Sequence, residues 1–98
     1  MTTYVLLLKA SPPTSGDVRS LSERVRQFER SLADRYPEVE SLTSYALLGS
    51  YDFLHIFEAP DANMATKVAL LAQSLGTGST ETLTAIPFDE FSFIVDEI

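Results

Sequence analysis

Apolar and polar positions change period several times along this 98-residue chain. Tyr4-Val5-Leu6-Leu7-Leu8 is a continuous apolar run of strand length, stopped by Ser11-Pro12-Pro13. The uncharged Ser11–Gly16 stretch, built from Pro, Ser, Thr and Gly, reads as a loop. Val18, Leu21, Val25, Phe28 and Leu32 then recur three and four apart, which places them on one stripe of an amphipathic helix. Its start lies near Asp17 or at Ser20, where Glu23 completes a capping-box pattern. Tyr36-Pro37 ends it, because a residue before proline is pushed out of the helical region.

Val39–Leu48 and Tyr51–Ala59 read as strands flanking Gly49-Ser50, a pair suited to a two-residue type II′ turn. Pro60-Asp61 breaks the second strand, and Asp61 is placed to cap a second helix. Met64, Val68, Leu71 and Leu75 continue at helical spacing, while Ala65, Ala69 and Ala72 allow close approach to a sheet. Gly76-Thr77-Gly78 stops that helix, and Thr80–Ile86 is a Thr-rich last strand closed by Pro87. Phe88, Phe91 and Val95 fit a final helical turn or an extended tail. The order β-α-β-β-α-β defines an α+β, ferredoxin-like antiparallel sheet with both helices on one face, in a single domain over 1–98.

Such a sheet leaves its other face to be polar or to be covered by something else. In the third strand, Tyr51, Phe53, His55 and Phe57 share one side, and Leu54 and Ile56 share the other. Both sides are apolar enough to meet the helices. The aliphatic pair suits close packing better, which leaves the aromatic set with His55 on the uncovered face. Four such side chains from each of two copies are worth roughly 12–24 kcal/mol at full burial, against an association cost of about 4–15. A homodimer or higher oligomer is therefore expected.

Composition narrows the chemistry. A net charge of −7 argues against nucleic acid and anionic membranes as partners. No apolar run approaches the ~20 residues of a membrane span, and the uncharged Met1-Thr2-Thr3 start does not resemble a signal peptide, so a cytoplasmic protein is expected. The absence of Cys removes thiol chemistry and disulfides, and a single His makes a protein-bound zinc improbable. The arginines of the first helix, interleaved with Glu23, Glu29 and Asp34, read as a solvated, salt-bridged face. Glu58 and Glu81 have no sequence relation that would join them in a site.

His55 is the candidate catalytic residue. Among Phe53, Phe57 and Tyr45 its imidazole can ligate haem or act as a general base; the alternative is a core histidine hydrogen-bonded across a strand or subunit. Gly49 serves a turn, and Asp52 either receives backbone N–H groups or acts as a base. Tyr51 offers a phenol to a ligand or an amphipathic ring to an interface.

Leu48-Gly49-Ser50-Tyr51-Asp52, the apolar strand after it and Glu58-Ala59-Pro60-Asp61 resemble the GYD-domain family of small bacterial and archaeal proteins. The name-giving motif stands here as Gly49, Ser50, Tyr51 and Asp52, and the likeness runs from Tyr4 to Phe91. It departs in the Ser11–Asp17 loop with its paired prolines and in the arginine-rich first helix. The resemblance implies a dimeric α/β barrel, two ferredoxin-like sheets closing face to face, and brings no established activity. Proteins of that fold include cofactor-independent oxygenases, haem enzymes and ligand-binding regulatory domains, and fold alone does not choose among them. The leading expectation is a homo-oligomer that binds a small apolar or aromatic ligand through Tyr51, Phe53, His55 and Phe57, with no metal or cofactor. An oxygenase or haem enzyme using His55, and a structural or regulatory interaction module, are the alternatives.

Overall fold

The computed structural model describes residues 1–10, 18–75 and 78–98. The expected loop at 11–16, the helix start near Asp17 and the Gly76-Thr77 part of the helix stop lie outside the described residues. The elements are β1 (Thr2–Lys9), α1 (Val18–Arg35), β2 (Glu40–Ala46), β3 (Phe53–Ala59), α2 (Ala62–Ser74), β4 (Ser79–Ala85) and α3 (Phe88–Glu97). The four strands form one antiparallel sheet in the order β2-β3-β1-β4, the ferredoxin-like arrangement expected from the chain order. The C-terminal residues, compatible in sequence with a helical turn or an extended tail, form a helix of ten residues.

The core lies between the helices and one face of the sheet. Tyr4, Leu6 and Leu8 of β1 alternate into it and meet Phe53, Phe57 and Ala59 of β3. The expected stripe on α1 supplies Phe28 and Leu32, with Leu21 and Val25 half-buried beside them. From α2 come Ala65, Val68, Leu71 and Ala72, the alanines allowing the helix close to the sheet. Asp61 caps α2 as its position suggested: Met64 N–H donates to its Oδ1 at 3.0 Å.

Two expectations are corrected. The aromatic side of β3 faces the helices: Phe53, His55 and Phe57 are buried, and Leu54 and Ile56 are half-exposed on the uncovered face. Under the helices the sheet must fill a deep space, and large rings supply that volume. The β2–β3 connection is also longer than a two-residue turn. It runs from Leu47 to Asp52, with Leu47 N–H donating to the Asp52 carbonyl at 2.9 Å. Gly49 sits inside it at φ +149°, where an L side chain would be strained.

α3 differs from the other helices in having no buried residue. The Cα radius of gyration is 14.6 Å, against about 13 Å for a typical domain of this length.

Candidate functional site

Strand register fixes the composition of the open face. One row across it is Tyr45, Leu54, Leu7 and Glu81; the next is Thr43, Ile56, Val5 and Leu83; a third is Glu40, Glu58, Thr3 and Ala85. The middle of this face is thus a floor of Val5, Leu7, Leu54, Ile56 and Leu83, with carboxylates toward its ends. Glu58 and Glu81 share the face but lie in different rows, so they form no pair.

Tyr51 belongs to this side. Its hydroxyl donates to the Glu81 carboxylate, and that bond, with partial desolvation and the nearby negative charge, raises the phenol above its ordinary value. Asp52 does what a turn-flanking Asp commonly does. Its Oδ2 accepts from Ala10 N–H at 2.8 Å, and its own N–H donates to the Leu8 carbonyl at 2.8 Å. The GYD motif therefore ties the β2–β3 connection to the end of β1.

His55 lies beneath the helices at 1 % exposure. Phe28 meets its ring edge-on at a centroid distance of 5.5 Å, while Phe53 and Phe57 stack at 6.1 and 5.9 Å. Both nitrogens have partners: Ser44 Oγ lies 2.7 Å from Nδ1 and Ser41 Oγ lies 3.2 Å from Nε2. Ser44 donates its single hydroxyl proton to Glu29 Oε2 at 3.0 Å, so its oxygen accepts from Nδ1–H. The neutral tautomer assigned from this network carries its proton on Nδ1, and Nε2 accepts from Ser41. Burial holds the imidazole below its ordinary pKa, opposed in part by the Glu29 carboxylate.

These placements divide the four residues proposed for ligand binding. Phe53, His55 and Phe57 belong to the helix-covered core, and Tyr51 reaches the open face. Haem ligation by His55 would require displacing one of its serines. The serine–glutamate network had no motif to announce it; the only sequence signal was a pair of serines in a strand beside a histidine-bearing one. Among the described residues no group of His, Asp and Glu could hold a metal ion, and no helix is long and apolar enough to cross a membrane.

On the helix side, an apolar pocket of about 260 Å³ opens between α1 and the end of β2. Leu21, Ser22, Val25, Tyr45, Asp52 and Phe53 are among its walls.

The fold and its faces define a small α+β protein of ferredoxin-like topology, one sheet face packed by its own helices and the other aliphatic and uncovered. The GYD domain model matches residues 4–95, and the chain belongs to that family. A Thermus thermophilus relative, named a glutamine synthetase and cystathionine β-lyase binding protein, is 32% identical over 87 residues, spanning 89% of this chain and 90% of the relative. Among solved structures, a Thermus thermophilus protein is 22% identical at a TM-score of 0.58, over 89% of this chain and 95% of its own. MtbAldR is 16% identical at a TM-score of 0.62, over 88% of this chain and 53% of its own, so this chain spans about half its length. Those two structural likenesses speak for the fold alone.

Proposed function

We propose that this protein is a homo-oligomeric interaction module that pairs through its open sheet faces and binds metabolic enzymes in the cytoplasm. The observation that carries the pairing is the aliphatic floor of Val5, Leu7, Leu54, Ile56 and Leu83, left uncovered by the chain's own helices. Two copies facing each other remove both floors from water, the largest favourable contribution that a surface of this composition offers. The relative's name supports the choice of partner, since the similarity extends over nearly the whole of both chains. His55, held on both nitrogens in the core, then serves packing, and the reading uses no cofactor.

Native mass spectrometry with sedimentation equilibrium tests the pairing. The wild type is expected to be a dimer or larger, and Ile56→Asp a folded monomer by circular dichroism. A monomeric wild type overturns the reading. Surface plasmon resonance against purified glutamine synthetase and cystathionine β-lyase of the same organism tests the partner class, and no saturable binding to either rejects it.

A second reading, a small apolar ligand held between the paired sheets, draws on Tyr51 and Glu81 as a polar rim beside the aliphatic floor. It predicts extra mass on the native assembly that is lost on denaturation.

A further inference from the structure

α3 is an apolar helix without a bed. Phe88, Phe91, Phe93, Ile94, Val95 and Ile98 are all exposed, and aromatic side chains alone can bury roughly 150–250 Å² each. Two such helices therefore offer a substantial part of the roughly 1,200–2,000 Å² that a stable interface buries. The pocket between α1 and β2 is the complementary feature. It is mainly apolar and about 260 Å³ in volume, whereas an apolar cavity of roughly 150 Å³ is enough to take up benzene.

Charge matches the same pairing. α3 carries Asp89, Glu90, Asp96 and Glu97 with no basic residue in its last turn, the end at which a helix favours cations. α1 carries Arg19, Arg24, Arg26, Arg30 and Arg35, five of the seven Lys and Arg residues of the chain, against Glu23, Glu29 and Asp34, and so is net positive where the charged residues of α3 are all acidic. Its first half, with Leu21, Ser22 and Val25, walls the pocket.

Topology selects the source of the helix. α3 follows β4, and the pocket lies by β2, so the two stand at opposite edges of the sheet. Those edges are three strand spacings apart, roughly 14 Å. A two-fold axis parallel to the strands, applied to the face-to-face pairing, brings β4 of each copy opposite β2 of the other. β4 ends at Ala85 in the Thr3 row, whereas the pocket lies near the Leu8 and Phe53 row, five β4 residues back at Thr80 and roughly 17 Å away. With the ~10 Å between facing sheets the path is roughly 20 Å. The ten-residue helix covers about 15 Å and the extended Ile86-Pro87 connection before it about 7 Å, which together bring its C-terminal residues to that level.

We propose that α3 of a second copy lies along the β2 edge and seats Ile94, Val95 and Ile98 in the pocket between α1 and β2, with Asp96 and Glu97 beside the arginines of α1. This exchange rests on the sheet-face pairing proposed above and makes each copy's helix part of the other's interface.

The chain has no cysteine, so an introduced thiol pair reports this contact alone. The double variant Ser22→Cys/Val95→Cys is oxidised mildly in the full chain. The products are run on a non-reducing gel and peptide-mapped, beside a native mass spectrum of the wild type. A covalent dimer linked between positions 22 and 95 is the expected result. A link within one chain, a link between like positions or no link in a wild-type-like dimer overturns the exchange and leaves the sheet pairing standing. A monomeric wild type overturns both.

Discussion

β1 and β3 present two faces made from nearly equally apolar residues, and the two faces end differently. On one, Tyr4, Leu6, Leu8, Phe53 and Phe57 are buried to 6 % exposure or less by helices of the same chain. On the other, Val5, Leu7, Leu54 and Ile56 remain half-exposed. Hydrophobicity therefore does not tell the faces apart; side-chain volume and the available cover do. Rings fill the deep space beneath α1 and α2, whereas branched aliphatics make a shallow floor suited to another sheet. The largest expected contrast follows from this. Phe57→Ala should lower stability by about 3–5 kcal/mol through the cavity it leaves. Ile56→Ala should cost the monomer far less and act mainly on self-association. Urea unfolding at dilute and concentrated protein separates the two effects, and equal, concentration-independent losses would break the distinction.

Chain order, helix-end signals and helical periodicity carried most of the fold. Asp61 marked the start of α2, Pro37 marked the end of α1, and the α1 stripe pointed its Phe28 and Leu32 into the core. The faces of β3 could not be read the same way. Alternation assigns residues to two sides, but with Leu54 and Ile56 opposed to Phe53 and Phe57 neither side is polar. The closer packing expected of the aliphatic pair carried His55 to the open side with the rings, and the partners that make its burial inexpensive lie elsewhere in the chain. Ser41 and Ser44 are 14 and 11 residues away and meet it only after β2 pairs with β3. The C-terminal helix was only half legible, since none of its residues is buried against the described part of the chain, and periodicity alone had to fix their conformation.

The serines sharpen the contrast at a smaller scale. Ser44 joins Nδ1 of His55 to Glu29, so Ser44→Ala strands a buried N–H donor and should cost about 1–3 kcal/mol. Ser41 is exposed on the edge strand, where water can replace its hydroxyl, and Ser41→Ala should cost about 0.5 kcal/mol. Thr43, on the open face opposite Ile56, should tolerate Ala within about 0.5 kcal/mol. Urea midpoints of the three variants give the ranking, and a Ser41 variant as damaged as the Ser44 one would place Nε2 in the drier position.

The finest distinction between the faces is their response to acid. His55 is the chain's single histidine, and it titrates beneath the helices. Burial lowers its folded-state pKa, so below about 6.5 the unfolded chain takes up a proton that the folded chain resists. The unfolded state then binds more protons. The stability due to the neutral ring is present in full above that pH and declines as pH falls, until the folded-state pKa is reached. The limiting slope for one proton is about 1.4 kcal/mol per pH unit. Glu29, reached through Ser44, narrows the window by favouring the charged ring. Unfolding free energies of wild type and His55→Gln, measured from pH 5 to 7.5, should therefore converge toward low pH and run parallel above about 6.5. Parallel curves throughout would mean that the folded ring accepts its proton as readily as the unfolded chain does. The helix-covered face would then be no drier at His55 than an ordinary protein surface.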